Sequence, residues 1–521
     1  MASRRDFLKT VILSSGAVFT GLPLGCHDEK RNMFSSVKQI NNGNPPINQR
    51  ALLFEKAHKY LRENYIQSAN ASKSLATDVA IVGCGPSGLT AAMYLMNSGY
   101  NVTLIDSEDS PGGAAISGTY KDIRFPLASI YFVDNNQTIQ DLCRFANVTP
   151  IQTPSDGLLY QGVKYIDYWK DNVISTLPIS KLEIENLKRF RDDILSFGEL
   201  PPYPLPEKLS GKFAQLAEMT VQQYCQKYNS TFLNKMVDLY TRSSMGGGFG
   251  ETNAYCFLNF YASEIGMDAP PPRYTFTGGL NGLTKPVADN LTNAKFLVGN
   301  LCLNIENTAK GVTLKTIDSK ETITQIDAKY VIVACQKFMV PTMINSLPEP
   351  QKNAIKKIKY SPYLTVHLCA DRNILGKTTF DTWLLDSGNI CTDIIDPQSI
   401  GQQSKEGAFV ASVYSPRPYT ERAILQSNEV IASLSRKIAD EVTSQFGVDT
   451  KNAVKEIQTF AWGHSLVTAS TQTHNGVAQT ASRKFENIHF ANTDNDCSPA
   501  FENAVLNGQK AAEDIIKRLK S

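Results

Sequence analysis

The sequence has little of three features: charge of one sign, paired cysteines and long apolar runs. Its 52 basic and 50 acidic side chains leave a formal net charge of +2, so we expect no nucleic-acid partner. The ten cysteines include no Cys-x-x-Cys pair, so neither a zinc knuckle nor a dithiol redox motif is indicated, and no metal site is predicted. A chain of 521 residues that is 42% hydrophobic is expected to form about two to four globular units.

The apolar stretch from Thr10 to Leu24 is interrupted by serine, glycine and proline and is too short to predict a membrane span. It follows Ser-Arg-Arg-Asp-Phe-Leu-Lys at positions 3–9, and residues 1–26 together resemble a twin-arginine export signal. We therefore expect a periplasmic or other extracytoplasmic location. The segment that ends at Cys26 leaves two alternatives open, namely a plain signal or lipidation of Cys26 that anchors the protein to a membrane.

Residues 27–74 are predicted to connect this signal to the main fold. From His27 to Gln49 the sequence is polar and contains turn-forming Asn, Gly and Pro, which predicts a tether. Apolar residues then recur at helical spacing between Ala51 and Tyr65, which predicts one short helix.

A glycine-rich turn between a strand and a helix carries the clearest chemical signal. Asp78 to Val82 is a β-branched apolar run, positions 83–88 have the sequence Gly-Cys-Gly-Pro-Ser-Gly, and an Ala- and Leu-rich helix is predicted over 89–97. Glycines at this spacing permit a tight turn, close approach of a diphosphate to the backbone and close contact between helix and strand. The helix N-terminus offers unpaired N–H groups to the phosphates.

A second strand from Asn101 ends at Asp106, which is placed to accept hydrogen bonds from an adenosine ribose. The strand, turn, helix and strand form one parallel crossover unit. They predict a doubly wound α/β fold, a Rossmann-like FAD/NAD(P)-binding domain. Its predicted cofactor-binding residues are Gly83, Gly85, Pro86, Ser87, Gly88 and Asp106.

After the crossover unit, segments typical of a nucleotide-binding domain alternate along the chain with segments of another type. Further strands are predicted at 296–305, 312–317, 330–333, 363–368, 380–385 and 488–491, and a C-terminal helix at 500–519. We therefore predict a dinucleotide-binding domain assembled from 75–150, 271–346 and 483–521. An α+β substrate domain, formed by 151–270 and 347–482, is interleaved with it.

The segments beyond Asp106 resemble the flavin-containing amine oxidase superfamily, which includes monoamine and polyamine oxidases, spermidine-dehydrogenase-like proteins and phytoene-desaturase relatives. The matching features are the Pro-Gly-Gly at 111–113, the Gly-Gly segment at 276–283, the returning strand at 327–335 and the C-terminal run at 490–512. The resemblance extends in blocks from about residue 76 to the C-terminus.

This resemblance implies a cofactor, non-covalently bound FAD, and further residues that bind it. Family members carry a Gly-Gly pair after the ribose acid, a residue whose backbone meets the adenine, and a C-terminal strand and helix along the flavin and its diphosphate. The positions that match are Gly112, Gly113, Cys302, Asp494, Glu502 and Ala504.

The sequence departs from the family pattern at three positions near the expected flavin. Thr365 stands where many amine oxidases have lysine, Cys497 where an aromatic wall is usual, and Ala114 where arginine is common. These departures bear on the substrate and leave FAD binding unaffected.

The two non-nucleotide stretches are expected to form the walls of a substrate cleft, because a flavin needs a shaped, dry site beside the carbon that loses hydride. Candidate catalytic residues are His464, Trp462 and Tyr363, with Trp383 as a further lining residue. His464 is suited to act as a base near neutral pH, although a buried structural histidine is the alternative.

Three functions stay open at this point. The first is an FAD-dependent oxidoreductase that takes hydride from a carbon beside an amine nitrogen of a small molecule. The second is a desaturase of an apolar isoprenoid or polyene, and the third is a flavin-binding protein without turnover. The electron acceptor is expected to be oxygen, a quinone or a protein.

Overall fold

The computed structural model describes residues 37–41, 43–50, 60, 70–133, 136–265, 272–447 and 450–521. The predicted export signal over 1–26, the lipidation candidate Cys26 and nearly all of the helix predicted from Ala51 to Tyr65 lie outside these ranges. Among the described residues, no helix combines the length and apolar character that crossing a bilayer requires.

A seven-stranded sheet carries the nucleotide-type segments. Its strand order is β11-β4-β3-β14-β13-β12, and β20 pairs with the end of β14. Neighbours from β11 to β14 are parallel, as is β20 beside β14, whereas β12 and β13 form an antiparallel extension. The strands are β3 Lys73–Val82, β4 Val102–Ile105, β11 Lys295–Leu297, β12 Leu301–Thr308, β13 Gly311–Ile317, β14 Ile323–Val333 and β20 Ile488–Phe490.

The predicted crossover unit is present. Val79 to Ile81 and all of β4 are buried because parallel strands are covered on both faces. Helix α1, Pro86–Asn97, follows the glycine turn. The C-terminal helix α15, Phe501–Lys520, packs closely on α1, and a Cβ at Gly508 would collide with the carbonyl of Ser87.

The second large sheet has nine strands, in the order β1-β2-β19-β15-β18-β17-β16-β8-β9. Its strands come from both predicted substrate segments and from the chain before residue 51. They are β1 Val37–Asn41, β2 Ile47–Arg50, β8 Gly157–Tyr160, β9 Val163–Ile166, β15 Tyr360–Ala370, β16 Asp381–Leu384, β17 Asp393–Ile395, β18 Phe409–Pro416 and β19 Val454–Val467.

The two faces of this sheet differ in chemistry. Side chains alternate along β15, so Leu364, Val366 and Leu368 share one face and enter an aliphatic cluster with helix α12, Asn428–Phe446. The opposite face carries aromatic and polar side chains, such as Tyr363 and Thr365. Both faces are buried, so the polar face is covered by the rest of the molecule and not by solvent.

Helices cover the polar face at the β8 and β16 end of the sheet. Aromatic side chains dominate this core, with Phe190, Tyr228, Tyr240, Phe257 and Tyr261 in mutual ring contact. The helices in this region are α3 Asp171–Ile174, α4 Lys181–Leu195, α5 Gly211–Glu218, α6 Val221–Cys225, α7 Thr231–Met245 and α8 Ala254–Tyr261.

Shorter elements complete the described chain. Small antiparallel pairs are formed by β5 Ser117–Tyr120 with β6 Ile123–Pro126 and by β7 Ile151–Gln152 with β10 Tyr274–Thr275. The remaining helices are α2 Gln137–Ala146, α9 Asn281–Asn290, α10 Val340–Met343, α11 Glu349–Lys357, α13 Thr450–Ala453 and α14 Ala478–Ala481.

Two sequence predictions need correction. The predicted tether contains β1 and β2, because β2 pairs in parallel with β19 and Ile47 is fully buried against the aliphatic cluster. The strand predicted over 296–305 is two strands, since β11 pairs with β4 and β12 pairs with β13. The other predicted strands and the C-terminal helix are present, while the division into two domains stays a prediction.

Candidate functional site

The glycine turn has the geometry that a diphosphate requires. Gly83 has φ +112°, a left-handed region that favours glycine, and its N–H donates to the Ile105 carbonyl at 2.7 Å. A Cβ at Gly83 would lie 2.9 Å from the backbone of Ala334, so a side chain there would push β3 and β14 apart. A Cβ at Gly88 would collide with the Gly83 carbonyl, which keeps the helix close to the strand.

Gly85 differs from its neighbours, and this difference provides a test of cofactor fit. A Cβ built on Gly85 meets nothing nearer than the Gly113 Cα at 3.7 Å, and Gly85 has an ordinary φ of −75°. A Cβ on Gly113 would lie 2.9 Å from the Gly85 Cα. The two glycines therefore leave a backbone-lined cradle that a side chain would fill, and the residues present fit a diphosphate group.

Helix α1 begins at this cradle with proline at its first position. Pro86 lacks an N–H where an N–H would have no intrahelical partner, and the following N–H groups of the first turn are available to phosphate oxygens. The Ser87 hydroxyl donates to the Ala491 carbonyl, which ties the start of α1 to the end of β20.

Asp106 and Cys302 are brought together at the opposite side of the turn. The Asp106 carboxylate accepts hydrogen bonds from the Cys84 N–H at 2.6 Å and the Glu108 N–H at 2.9 Å. The Asp106 carbonyl accepts from the Asn300 N–H at 2.8 Å, two residues before Cys302. The predicted ribose acid and the predicted adenine contact therefore line one end of the crevice, while their roles toward FAD stay predictions.

The predicted residues of the C-terminal run lie at the other end of the crevice. The Asp494 carboxylate accepts hydrogen bonds from the Lys337 N–H at 2.7 Å and from the Tyr360 hydroxyl. The Glu502 carboxylate accepts from the Val133 N–H, and Ala504 is buried in the next turn of α15. These contacts join the end of β14, the C-terminal helix and β15 around one groove.

Lys337 is a residue of this groove that the sequence reasoning missed. Its side chain is 1% exposed, its ammonium lies 3.4 Å from the Asn492 amide oxygen, and it also contacts the Asn495 amide oxygen. Burial lowers the pKa of Lys337. A lysine four residues after a buried strand was the signal available in the sequence.

Tyr363 and Trp462, two predicted catalytic residues, face each other across neighbouring strands. They are register partners in β15 and β19 and belong to one aromatic cluster with Tyr414. The Trp462 indole N–H donates to the Leu127 carbonyl at 3.3 Å, and the Thr365 hydroxyl donates to the same carbonyl at 2.9 Å. The polar face of the nine-stranded sheet therefore meets the segment that follows Gly112 and Gly113.

His464 lies farther along β19 than Trp462. Its ring stacks on Phe338 with a centroid separation of 3.9 Å and meets the Tyr360 ring edge-on. Since Tyr360 also bonds Asp494, His464 belongs to the groove at the C-terminal run, where the buried Cys497 thiol donates to the Asp494 carbonyl. Trp383 is separate from these three residues and packs on Tyr240 in the helical core.

Topology indicates how a dinucleotide crosses this region. In doubly wound folds the ligand binds at the carboxyl ends of the strands, where the strand order reverses. Here β4 with Asp106 lies on one side of β3, and β14 and β20 lie on the other. The flavin half of FAD would therefore extend toward Asp494, and the aromatic side chains of β15 and β19 would form the facing wall.

Sequence reasoning also missed an acidic cluster behind this wall. Arg273 pairs with Asp156 and Glu264, and all three side chains are at most 9% exposed. Two more carboxylates, Asp381 and Asp393, are each 2% exposed, and Asp381 Oδ1 has no hydrogen-bond partner among the described residues. The sequence does offer a signal for Asp381 and Asp393, because each is a carboxylate within an otherwise apolar, strand-like segment.

Burial dominates the ionisation of this cluster. It raises the pKa of Asp156, Glu264, Asp381 and Asp393, because a low-dielectric interior disfavours the charged form. A small cavity of about 30 Å³ adjoins the cluster and reaches Lys170, whose side chain is 48% exposed. Four carboxylates around one guanidinium give the region a capacity to hold protons.

Comparisons with known proteins decide the family. The sequence profile of flavin-containing amine oxidoreductases matches residues 86–516, which is most of the chain. The protein belongs to this family. That membership confirms the predicted doubly wound fold, the FAD cofactor and the oxidoreductase class. The individual cofactor and catalytic residues predicted from the sequence stay predictions.

Relatives with curated descriptions are similar over part of their length. Oxidoreductase PigB of Serratia sp. is 26% identical over 211 residues, which cover 37% of this chain and 31% of PigB. The flavin-containing amine oxidase B of Sus scrofa is 26% identical over 272 residues, covering 49% of this chain and 50% of that enzyme. The matches thus span about a third to a half of these relatives.

Solved structures match over a larger share of the chain. An engineered triple mutant of putrescine oxidase has a TM-score of 0.68 at 16% identity and covers 85% of this chain and 100% of its own. Cyclohexylamine oxidase from Brevibacterium oxydans IH-35A has a TM-score of 0.65 at 17% identity, with coverages of 85% and 100%. At these identities the likeness establishes the fold alone.

Proposed function

We propose that this family member oxidises a small amine, taking hydride from the carbon beside the nitrogen. FAD, when bound, supplies the acceptor for that hydride. The observation that carries the proposal is the pairing of Tyr363 and Trp462 on β15 and β19, since β15 also brings Tyr360 into a hydrogen bond with Asp494. Such a wall excludes water and orients the reacting carbon, which are the protein's main contributions.

The acidic cluster favours an amine over an apolar polyene. Asp381 and Asp393 lie behind the aromatic wall, and neither is within salt-bridge distance of a cation among the described residues. Buried carboxylates stabilise an approaching ammonium group and would oppose a long apolar chain. A hydride donor must also reach the flavin as a neutral amine, so the wall must allow an ammonium proton to leave.

Anaerobic mixing of the purified holoprotein with putrescine, cyclohexylamine, benzylamine and an isoprenoid polyene tests this function. We expect at least one amine to bleach the flavin absorbance near 450 nm, because the cleft offers carboxylates and aromatic rings to a small cation. Bleaching by the polyene alone would instead support a desaturase, and a fully loaded but inert flavin would support a protein without turnover. Either result overturns the amine proposal.

We also propose that the protein is exported through its twin-arginine-type segment and acts outside the cytoplasm. The support is the Arg4-Arg5 pair followed by a short apolar stretch. Cell fractionation should find the flavoprotein outside the cytoplasm, whereas the double variant Arg4→Lys/Arg5→Lys should accumulate inside. Detergent partitioning that is lost in Cys26→Ala would assign a lipid anchor. Equal distribution of the parent and the double variant would contradict export by this route.

A further inference from the structure

A hydrogen-bonded chain of three side chains connects the aromatic wall to the acidic cluster. The Ser243 hydroxyl oxygen lies 2.8 Å from the Tyr363 hydroxyl and 2.7 Å from Asp393 Oδ1. Both distances are those of normal hydrogen bonds between oxygens. Tyr363 is on β15, Ser243 on α7 and Asp393 on β17, so three separate elements converge on one path.

An ionised Asp393 fixes the direction of both hydrogen bonds. A carboxylate only accepts, so Ser243 must donate its single hydroxyl hydrogen to Asp393. The Tyr363 hydroxyl then donates to the Ser243 hydroxyl oxygen at 2.8 Å, with the Ser243 carbonyl as a longer alternative acceptor at 3.3 Å. The Tyr363 oxygen keeps lone pairs that can accept a further hydrogen bond.

We propose that the Tyr363–Ser243–Asp393 chain removes the ammonium proton of the substrate and stores it on Asp393. The N–H bond of the ammonium group breaks as the Tyr363 oxygen takes its proton. Tyr363 passes its own hydroxyl proton to Ser243, and Ser243 passes its proton to Asp393 Oδ1. The substrate becomes a neutral amine, Asp393 becomes a neutral acid, and no electron moves in this step.

The surroundings of Asp393 suit a proton store. Its side chain faces charged and titratable groups from every neighbouring element: Asp381 on β16, Asp156 before β8, Glu264 after α8, Arg273 before β10, Arg242 on α7, Tyr363 on β15 and Tyr414 on β18. Burial raises the pKa of Asp393 to about 6, and the neighbouring carboxylates, which outnumber the cations in this set, act in the same direction.

The location of Tyr363 ties the chain to the reaction. Tyr363 contacts Trp462 and Tyr414 in the aromatic cluster, and Tyr414 donates to the Ala128 carbonyl at 3.1 Å. Three residues earlier on the same strand, Tyr360 bonds Asp494 at the groove for the flavin half. The inference rests on the proposed amine oxidation, since a polyene carries no proton that needs this route.

The first test compares the pH dependence of flavin reduction in the holoprotein, using the amine of the panel that reduces it fastest. In the parent protein the rate should rise with pH as Asp393 ionises. Asp393→Asn and Ser243→Ala should lower the rate by about 10-fold or more, since either change interrupts proton transfer. They should also remove this rise of the rate with pH, which is the acid limb of the pH profile. Ser243→Thr keeps a hydroxyl and should keep the acid limb.

The second test has a readout that does not depend on turnover. An analogue of that amine with methyl groups in place of the hydrogens on its α-carbon is not oxidised but still carries an ammonium proton. Infrared difference spectra of the complex against the free protein at pH 8 show whether a carboxylate gains a proton when the analogue binds. We expect the C=O stretching band of a protonated carboxyl group to appear in the parent and to be absent from Asp393→Asn, because only the parent can store the ammonium proton there.

Two results would overturn the proton chain while leaving the amine function intact. One is an unchanged acid limb in Asp393→Asn or Ser243→Ala that is still reduced by amine. The other is the absence of that carboxyl band from the parent complex, or its unchanged appearance in Asp393→Asn. If no amine of the panel reduces the flavin in the parent, the proposed function fails, and the proton chain fails with it.

Discussion

Gly85→Val is expected to abolish FAD binding while leaving the folded protein intact. A valine Cβ at this position meets only the Gly113 Cα at 3.7 Å, and valine tolerates the extended backbone of Gly85, so the apoprotein has room for the change. The same side chain would fill the cradle for the diphosphate. We expect flavin affinity to fall by about 100-fold or more, equivalent to about 2.7 kcal/mol.

The measurement is the ratio of flavin absorbance to protein after purification, with the melting temperature of the apoprotein as a second readout. Gly88→Val is the matched contrast, because its Cβ collides with the Gly83 carbonyl and should impair folding as well as flavin binding. A Gly85→Val protein that retains stoichiometric FAD would show that the diphosphate does not lie over this glycine.

The nucleotide half of the fold could be predicted because its signals are local. The glycine turn, the β-branched strand before it and the acid at its second strand all lie within about thirty residues, the length of one crossover unit. The structure places Gly83, Asp106 and β4 as that unit requires. The resemblance to the flavin-containing family then located the C-terminal segment around Asp494, four hundred residues away.

The substrate half could be predicted only in part, because its contacts are not local. Tyr363 and Trp462 were predicted as candidate catalytic residues because they are aromatic. Their pairing could not be predicted, because it depends on the register between β15 and β19. The pair formed by β1 and β2 was missed because the partner of β2 is β19, about four hundred residues later. The polar composition of this segment predicted a tether, but the pairing of β2 with β19 and the burial of Ile47 make it a strand.

The acidic cluster could not be predicted from the sequence either, because its residues lie far apart along the chain. Asp156 precedes β8, Glu264 follows α8 and Asp393 lies in β17, so no window of sequence contains the group. A single carboxylate in the sequence does not reveal its partners. Only the fold shows that Asp156 and Glu264 share the guanidinium of Arg273, and that Ser243 connects Asp393 to Tyr363.

Arg273→Met is expected to destabilise the protein strongly at neutral and alkaline pH. The substitution keeps an apolar stem and removes the only described cation that pairs with Asp156 and Glu264. Breaking a buried ion pair from one side leaves uncompensated buried charge and costs about 3–5 kcal/mol. Arg372→Met is the matched control, because Arg372 is 55% exposed beside Asp371 and its loss should cost less than about 1 kcal/mol.

The pKa values of Asp156 and Glu264 determine whether the loss of stability grows or shrinks with pH. The folded-state pKa values of Asp156 and Glu264 are already raised by burial, and Arg273 opposes that rise. Without the guanidinium the two pKa values rise further, so the folded variant binds protons that the unfolded chain has released above about pH 4. The stability contributed by these groups is present below that pH and is lost as pH rises through the folded-state pKa values.

Denaturant unfolding of parent and variant at pH 5 and pH 8 therefore tests whether the cluster is held by charge. We expect the loss of unfolding free energy in Arg273→Met to be larger at pH 8 than at pH 5, because protonation at pH 5 neutralises part of the charge that Arg273 compensates. Equal losses at the two pH values would indicate that Arg273 acts through packing on Tyr131 and Phe380.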